Sequence, residues 1–163
     1  MLPIRKLRTF LSMNAADRWM IAEALALPIC ISFGFWVLGV PRTQALLRSW
    51  ALAGKTDLLP ADREREIFSA RRAQRIVKRS TGVAGSCLVR SLTLWTLLLR
   101  RGLSTNLRVG FRKRDGRVQG HAWVEYGDAP INEDINEAKT FVPYSEPVSY
   151  DLWRRIGRTD SAA

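Results

Sequence analysis

The chain has 163 residues, 47% of them apolar, and a formal net charge of +11 from 26 Lys and Arg against 15 Asp and Glu. That is length for one domain with a core, and the two cysteines, Cys30 and Cys87, lack the regular spacing of a disulfide scaffold. With one histidine, no C-x-x-C and no H-E-x-x-H, the residues are too few for a typical zinc site, and two free thiols fit a reducing cytosol.

The first basic stretch, residues 1–8, precedes Asn14, a helix N-cap with Asp17 three residues on. The helix runs into Ala24–Val40, seventeen residues without a charge, interrupted by Pro28 and Gly34. About 20 apolar residues are needed to cross a bilayer, so the run falls slightly short. A buried or partner-packed helix is the first reading and membrane-surface contact through residues 24–40 the second. No small-residue cleavage site marks it as a signal peptide. Pro41 is expected to end the run, and Thr43–Ala53 to form a short helix stopped by Gly54. Gly54-Lys55-Thr56 looks like the end of a phosphate-binding loop, but its first glycine would fall at Ser49 and a helix precedes it, so a helix C-cap is the better reading.

Pro60–Arg79 has an amphipathic pattern, with Ile67, Ala70, Ala73 or Gln74, and Val77 turned inward and Arg63, Arg71, Arg72, Arg75, Lys78 and Arg79 too many to bury. From Ile67 to Arg114 there is no acid, while twelve Lys or Arg occur from Arg71 to Arg114. Such a field attracts an acidic peptide, nucleic acid or anionic lipid, although a solvated basic face explains the charges as well. After Gly82 and Gly85, a helix opens near Cys87, with Leu88, Leu92, Trp95 and Leu99 at helical spacing. Because it is apolar nearly all round it is central in the fold; Arg100 and Arg101 suit its last turn, and Gly102 stops it. The period then changes to two. Leu107, Val109 and Phe111 alternate with Arg108, Gly110 and Arg112, Asp115-Gly116 is a hairpin turn, and Val118–Tyr126 is the partner strand. Gly127-Asp128 turns into a third strand over Ala129–Glu133, Lys139–Ser149 reads as extended, and Tyr150–Ile156 as a short helix. A long helix followed by an antiparallel meander is an α+β fold.

Two residues in this frame carry chemistry. The unpaired N–H groups and positive dipole end of a helix start favour a negative group at Cys87, the condition for a reactive thiolate, and can also hold an oxyanion. Taken alone, an apolar-helix cysteine is more often a small core hydrophobe, and Cys30, between Ile29 and Ile31, reads that way. His121 supplies a base on a strand, although a strand histidine by itself is usually only half-buried and polar. Gly120 before it permits close backbone approach, and Trp123 and Glu125 share its face, Trp123 excluding water or lining a substrate groove. A third group must fix the imidazole. If Gly127-Asp128 is a two-residue loop, Tyr126 pairs with Ala129 and His121 faces position 134, so Asn132 and Asp134 share its face; a one-residue shift selects Glu133. An amide would orient the ring, and a carboxylate would also stabilise imidazolium.

The segments Ser86-Cys87-Leu88-Val89-Arg90-Ser91-Leu92, Leu97-Leu98-Leu99-Arg100-Arg101-Gly102, Val109-Gly110-Phe111-Arg112-Lys113, His121-Ala122-Trp123-Val124-Glu125 and Ile131-Asn132-Glu133 occur in that order. Together they resemble the transglutaminase-like leader peptidases of lasso-peptide biosynthesis, in particular the stand-alone C-terminal half of the split B protein, over roughly residues 80–137. Ala16-Asp17-Arg18-Trp19 followed by an apolar helix is a weaker likeness. The resemblance implies a papain/transglutaminase-like cysteine peptidase that needs no metal or cofactor and removes the leader from a ribosomal precursor peptide. Its partners would be that precursor, a leader-recognition protein and an asparagine-synthetase-like cyclase. The triad of that family is Cys-His-Asp; Cys87 and His121 match, whereas Asn132-Glu133 stands where the Asp falls, and face parity favours Asn132. An N-terminal helical region over 1–58, a peptidase domain over 59–157 and a loose tail over 158–163 are expected, with Arg71 and Arg75 on the face that meets the leader or its recognition protein. An acyl-transferring transglutaminase would use the same triad, and a non-catalytic nucleic-acid binder would lack the need for one; no aromatic-and-basic recognition motif supports the latter.

Overall fold

A computed structural model describes residues 15–55, 60–81 and 86–144. In chain order these form α1 (Ala15–Ala53), a 3-10 turn (Pro60–Asp62), α2 (Arg63–Thr81), α3 (Cys87–Arg100), β1 (Asn106–Arg114), β2 (Arg117–Tyr126), β3 (Ala129–Pro130), α4 (Ile135–Lys139) and β4 (Val142–Pro143). The expected cap Asn14, the helix at Tyr150–Ile156 and the tail at 158–163 lie outside the described residues.

The α3 helix has no polar face to turn to water, so every other layer packs on it. Residues 91–98 are all buried. Leu92, Leu94, Leu97 and Leu98 are fully buried, each removing apolar surface worth about 1.5–3 kcal/mol. The hydroxyls of Thr93 and Thr96 stay within the helix, donating to the carbonyls of Val89 (2.8 Å) and Leu92 (2.7 Å). Ser86 caps the start, its Oγ accepting from the Val89 N–H at 3.3 Å, which makes Cys87 the first helical residue. Gly102, at φ 78°, ends the other side in the left-handed conformation a stop requires.

The long apolar helix α1 does not run straight. Gly39 has φ 75° and ψ 167°, a backbone open to glycine, and it breaks the helix two residues before Pro41, where the sequence pattern put the end. A Cβ on Gly34 would lie 2.8 Å from the Thr43 methyl. Nine residues along a straight helix would separate these positions by about 13.5 Å, so α1 folds back as an antiparallel hairpin. The Thr43 hydroxyl closes the bend by donating to the Gly39 carbonyl at 2.7 Å. From the first arm, Met20, Ile21, Ala24, Leu27 and Ile31 enter the same core cluster as the α3 leucines and Ala70 and Ala73 of α2. The described part of the N-terminal helical region thus shares one core with α2 and α3. Cys30 lies on the exposed side of the arm, away from the core position that its apolar neighbours suggest.

The sheet has strand order β3-β2-β1-β4, antiparallel throughout. Asp115 (φ 53°) and Gly116 (φ 75°) form the β1–β2 turn, both left-handed as a tight hairpin demands. The third strand is shorter than the expected Ala129–Glu133. Tyr126 pairs with Ala129 and Glu125 with Pro130, the Ile131 N–H still donates to the Val124 carbonyl (2.9 Å), and there the ladder ends. Beyond it, where no element was expected, stands α4, capped by Asp134; the stretch from Lys139 expected to be extended then gives β4, on the far edge beside Gly110 and Phe111.

Glu23, only 8% exposed, ties the first α1 arm to the end of α3. Its carboxylate accepts from Trp19 Nε1 (3.1 Å) and pairs with Arg100 (2.9 Å) and Arg101 (3.2 Å). Arg100 also lies 4.2 Å over the Trp50 ring of the second arm. Removing one member of such a cluster leaves the others' charges uncompensated. Glu23→Ala is expected to destabilise the protein by about 2–4 kcal/mol, measured by urea denaturation at neutral pH; a midpoint unchanged from wild type would contradict this role.

Candidate active site

Cys87 and His121 line one cleft of ≈ 220 Å³, together with Ala24 and Pro28 of α1, Gln74 and Arg75 of α2, Arg90 and Ser91 of α3, and Asn132 and Glu133. This is smaller than an ordinary small-molecule pocket. Cys87 is half-buried. As first residues of a helix, Cys87 and Leu88 have backbone N–H groups with no intrahelical acceptor, and these point toward the helix start.

His121 is held on three sides. Its Nε2 makes a 2.7 Å hydrogen bond with Glu133 Oε2. Phe141 stacks on the ring at 4.9 Å between centroids, and Trp123 at 6.2 Å. Trp123, 2% exposed, belongs to a small buried cluster with Ala138 and Phe141, behind the imidazole rather than on the cleft wall. Its indole N–H donates to Glu125 Oε1 (2.8 Å), and Arg108 holds the other Glu125 oxygen (2.8 Å). Space for this indole comes from Gly110, paired opposite His121: a Cβ there would stand 2.8 Å from Trp123 Cη2. Gly120 is under no such demand, since its nearest neighbour would be the Phe111 ring at 3.4 Å.

Of the three residues considered for fixing the ring, Glu133 is the one in contact. Asp134 is exposed and caps α4, accepting from the Asn136 N–H at 2.8 Å. Asn132 is turned the other way: its Oδ1 accepts from the Val124 N–H (2.8 Å), the site where a continued β3 would have offered a carbonyl, and its Nδ2 donates to Ser91 Oγ (3.0 Å). The Asn132 amide ends the ladder, so strand alternation, which favoured Asn132, no longer governs position 133.

Ser91, fully buried, donates in turn to the carbonyl of Ala122 at 2.7 Å. It lies one helical turn after Cys87, and Ala122 is the residue after His121. The Ser91–Asn132 bridge therefore joins the Cys87 helix, the His121 strand and the Glu133 loop. The sequence signal for it is a serine on an otherwise apolar helix face. No motif marks Gln74 or Arg90 for the cleft; Gln74 Nε2 donates to the Arg90 carbonyl at 2.6 Å. Arg75 lines the cleft, while Arg71 is exposed on α2 outside it. Among the described residues no cluster of His, Cys, Asp and Glu is disposed to hold a metal ion.

Ser91→Ala would strand the Ala122 carbonyl and one Asn132 N–H in the core. The expected cost is about 1–3 kcal/mol, read as a lowered melting temperature, with a lower thiol-alkylation rate at Cys87 in the protein that remains folded. Unchanged stability would show that water replaces the hydroxyl and that the bridge is dispensable.

Comparison with known proteins gives one positive result, a match of the transglutaminase-like superfamily model to residues 33–146. No curated protein matches, and no solved structure matches. The matched span begins inside α1 and takes in α2, α3, the whole sheet and α4, including Cys87, His121 and Glu133. By that match the chain belongs to the transglutaminase-like superfamily, whose members include cysteine peptidases and acyltransferases.

Proposed function

We propose that this protein is a cysteine peptidase that removes the leader from a lasso-peptide precursor, working with a separate leader-recognition protein and upstream of an asparagine-synthetase-like cyclase. The observation that carries the chemistry is a single cleft wall bearing Cys87 at a helix start and His121 with Glu133 on its Nε2. The lasso-peptide assignment rests on the ordered sequence motifs from Ser86 to Glu133.

With Nε2–H donated to Glu133, Nδ1 carries the lone pair and is the atom that takes the Cys87 proton. The thiolate attacks the carbonyl carbon at the leader–core junction, and the oxyanion is met by the free N–H groups at the start of α3. Collapse breaks the C–N bond; the imidazolium protonates the leaving amine, and a thioester remains on Cys87. Water, deprotonated by His121, hydrolyses that thioester and restores the thiol. A carboxylate at position 133 does more than an amide would, because it stabilises the imidazolium that forms in each half-reaction. Arg75 and Arg90 at the cleft supply positive charge for an acidic stretch of leader.

Two sets of variants test this reading with purified protein, the precursor encoded beside it and the recognition protein. Cys87→Ala is expected to abolish cleavage, and Glu133→Gln to lower kcat by roughly 10²-fold or more with little change in KM. Cleavage that persists in Cys87→Ala would end the proposal, and linked products in place of a single cut would assign acyl transfer instead. Separately, Arg75→Glu with Arg90→Glu should raise KM at low salt while leaving kcat close to wild type, an effect that fades as salt screens it; a salt-independent loss of kcat would contradict a leader-binding role.

A further inference from the structure

The outer face of the α1 hairpin is apolar where a water-facing helix should be polar. Only 33% of its most apolar stretch is buried. Ile29 (68% exposed), Phe33 (63%) and Trp36 (82%) stand in a row at helical spacing, with Val37 and Leu38 beside them at the bend, and Phe33 and Trp36 contact one another at 6.0 Å. At 3.6 residues per turn this row lies about 125° round the helix from the side on which Ala24 and Pro28 enter the cleft. The second arm adds exposed Leu46 and Trp50. A contiguous apolar surface of this kind marks an interaction site.

The charges around it select the partner. From Ala24 to Thr56 there is no acidic residue, while Arg42 lies three residues beyond the bend and Arg48 further along the second arm, both exposed. Tryptophan and phenylalanine at a helix end, arginine close behind and no acid from Ala24 to the end of the second arm is the arrangement that settles at the headgroup level of a bilayer. A 36-residue helix of this composition is long enough to cross a membrane, yet the turn at Gly39 returns the chain to the side it came from. The first arm from Leu25 to the bend is about 21 Å long, short of a hydrocarbon core of about 30 Å.

We propose that the protein docks on anionic lipid surfaces by laying this hairpin into the interface, its bend inserted through Phe33, Trp36, Val37 and Leu38 and its arginines on lipid phosphates. None of the inserted residues lines the cleft, so docking leaves it open to a peptide. This inference stands apart from the peptidase reading, since neither the hairpin bend nor its outer face touches the cleft.

The test is co-sedimentation of the full chain with preformed vesicles, one set of phosphatidylglycerol and phosphatidylcholine and one of phosphatidylcholine alone, with tryptophan quenching by nitroxide-labelled lipid. Binding to the anionic set, weakened by salt and by about fivefold for each of Arg42→Glu and Arg48→Glu, is expected. Phe33→Glu with Trp36→Glu should reduce binding at least tenfold and remove the quenching, while the alkylation rate of Cys87 stays at the wild-type value and reports an intact fold. No binding to either set, or equal binding to both, overturns the proposal. So does a concentration-dependent dimer that the Phe33→Glu, Trp36→Glu variant makes monomeric, because the face would then be covered by a second copy.

Discussion

The hydrogen-bonded bridge from Ser91 to Asn132 is the constraint on which the site depends. The nucleophile, the base and the carboxylate sit on three different pieces of chain: a helix start, a strand and an irregular loop. Only a buried polar link, with every donor and acceptor matched, fixes three such pieces to one another with little freedom. Ser91 reaches Ala122 beside the base, and Asn132 reaches Val124 while Glu133 swings to the imidazole. Apolar packing alone, which surrounds the bridge on α3, would allow the sheet to slide by fractions of an ångström at small cost.

The same logic explains what could be read from sequence. The α3 helix and its glycine stop were legible because they are set by local rules: leucines at helical spacing and cations in the last turn. The β1–β2 hairpin was legible for the same reason, through Asp115-Gly116. The positions of Cys87 and His121 on those elements came directly from them. The contact of His121 with Glu133 was legible only as one of two register alternatives, because it depends on the ladder stopping at Ile131, and the ladder stops where a side-chain amide takes the place of a backbone carbonyl on the Val124 N–H. No period in the sequence encodes that replacement. The fold-back of α1 was partly hidden too. Pro41 drew attention as the breaker, whereas the bend needs the positive φ of Gly39 and the clearance of Gly34 against Thr43.

Around the imidazole, selection of residue size matters as much as charge. Trp123 presses from behind only because Gly110 has no side chain, and Phe141 reaches the ring only because α4 returns the chain beneath the sheet. The Arg112 guanidinium, 4.3 Å over the Phe141 ring and paired with Glu137 at 2.8 Å, holds that return in place. Glu125 plays the matching part for Trp123. The His121 imidazole is thus backed by two rings whose own freedom has been removed, which is what precise proton transfer from it requires.

The ion-pair cluster at Glu23 has a consequence in time as well as in space. Its partners Arg100 and Arg101 lie 77 and 78 positions later, from 100 − 23 and 101 − 23. At a synthesis rate of about 5–20 residues per second, Glu23 and the first arm leave the ribosome roughly 4–15 s before the arginines that pair with Glu23. For that interval neither side of the hairpin has a place in the fold. The inner face of the hairpin is then as bare as its outer face remains after folding.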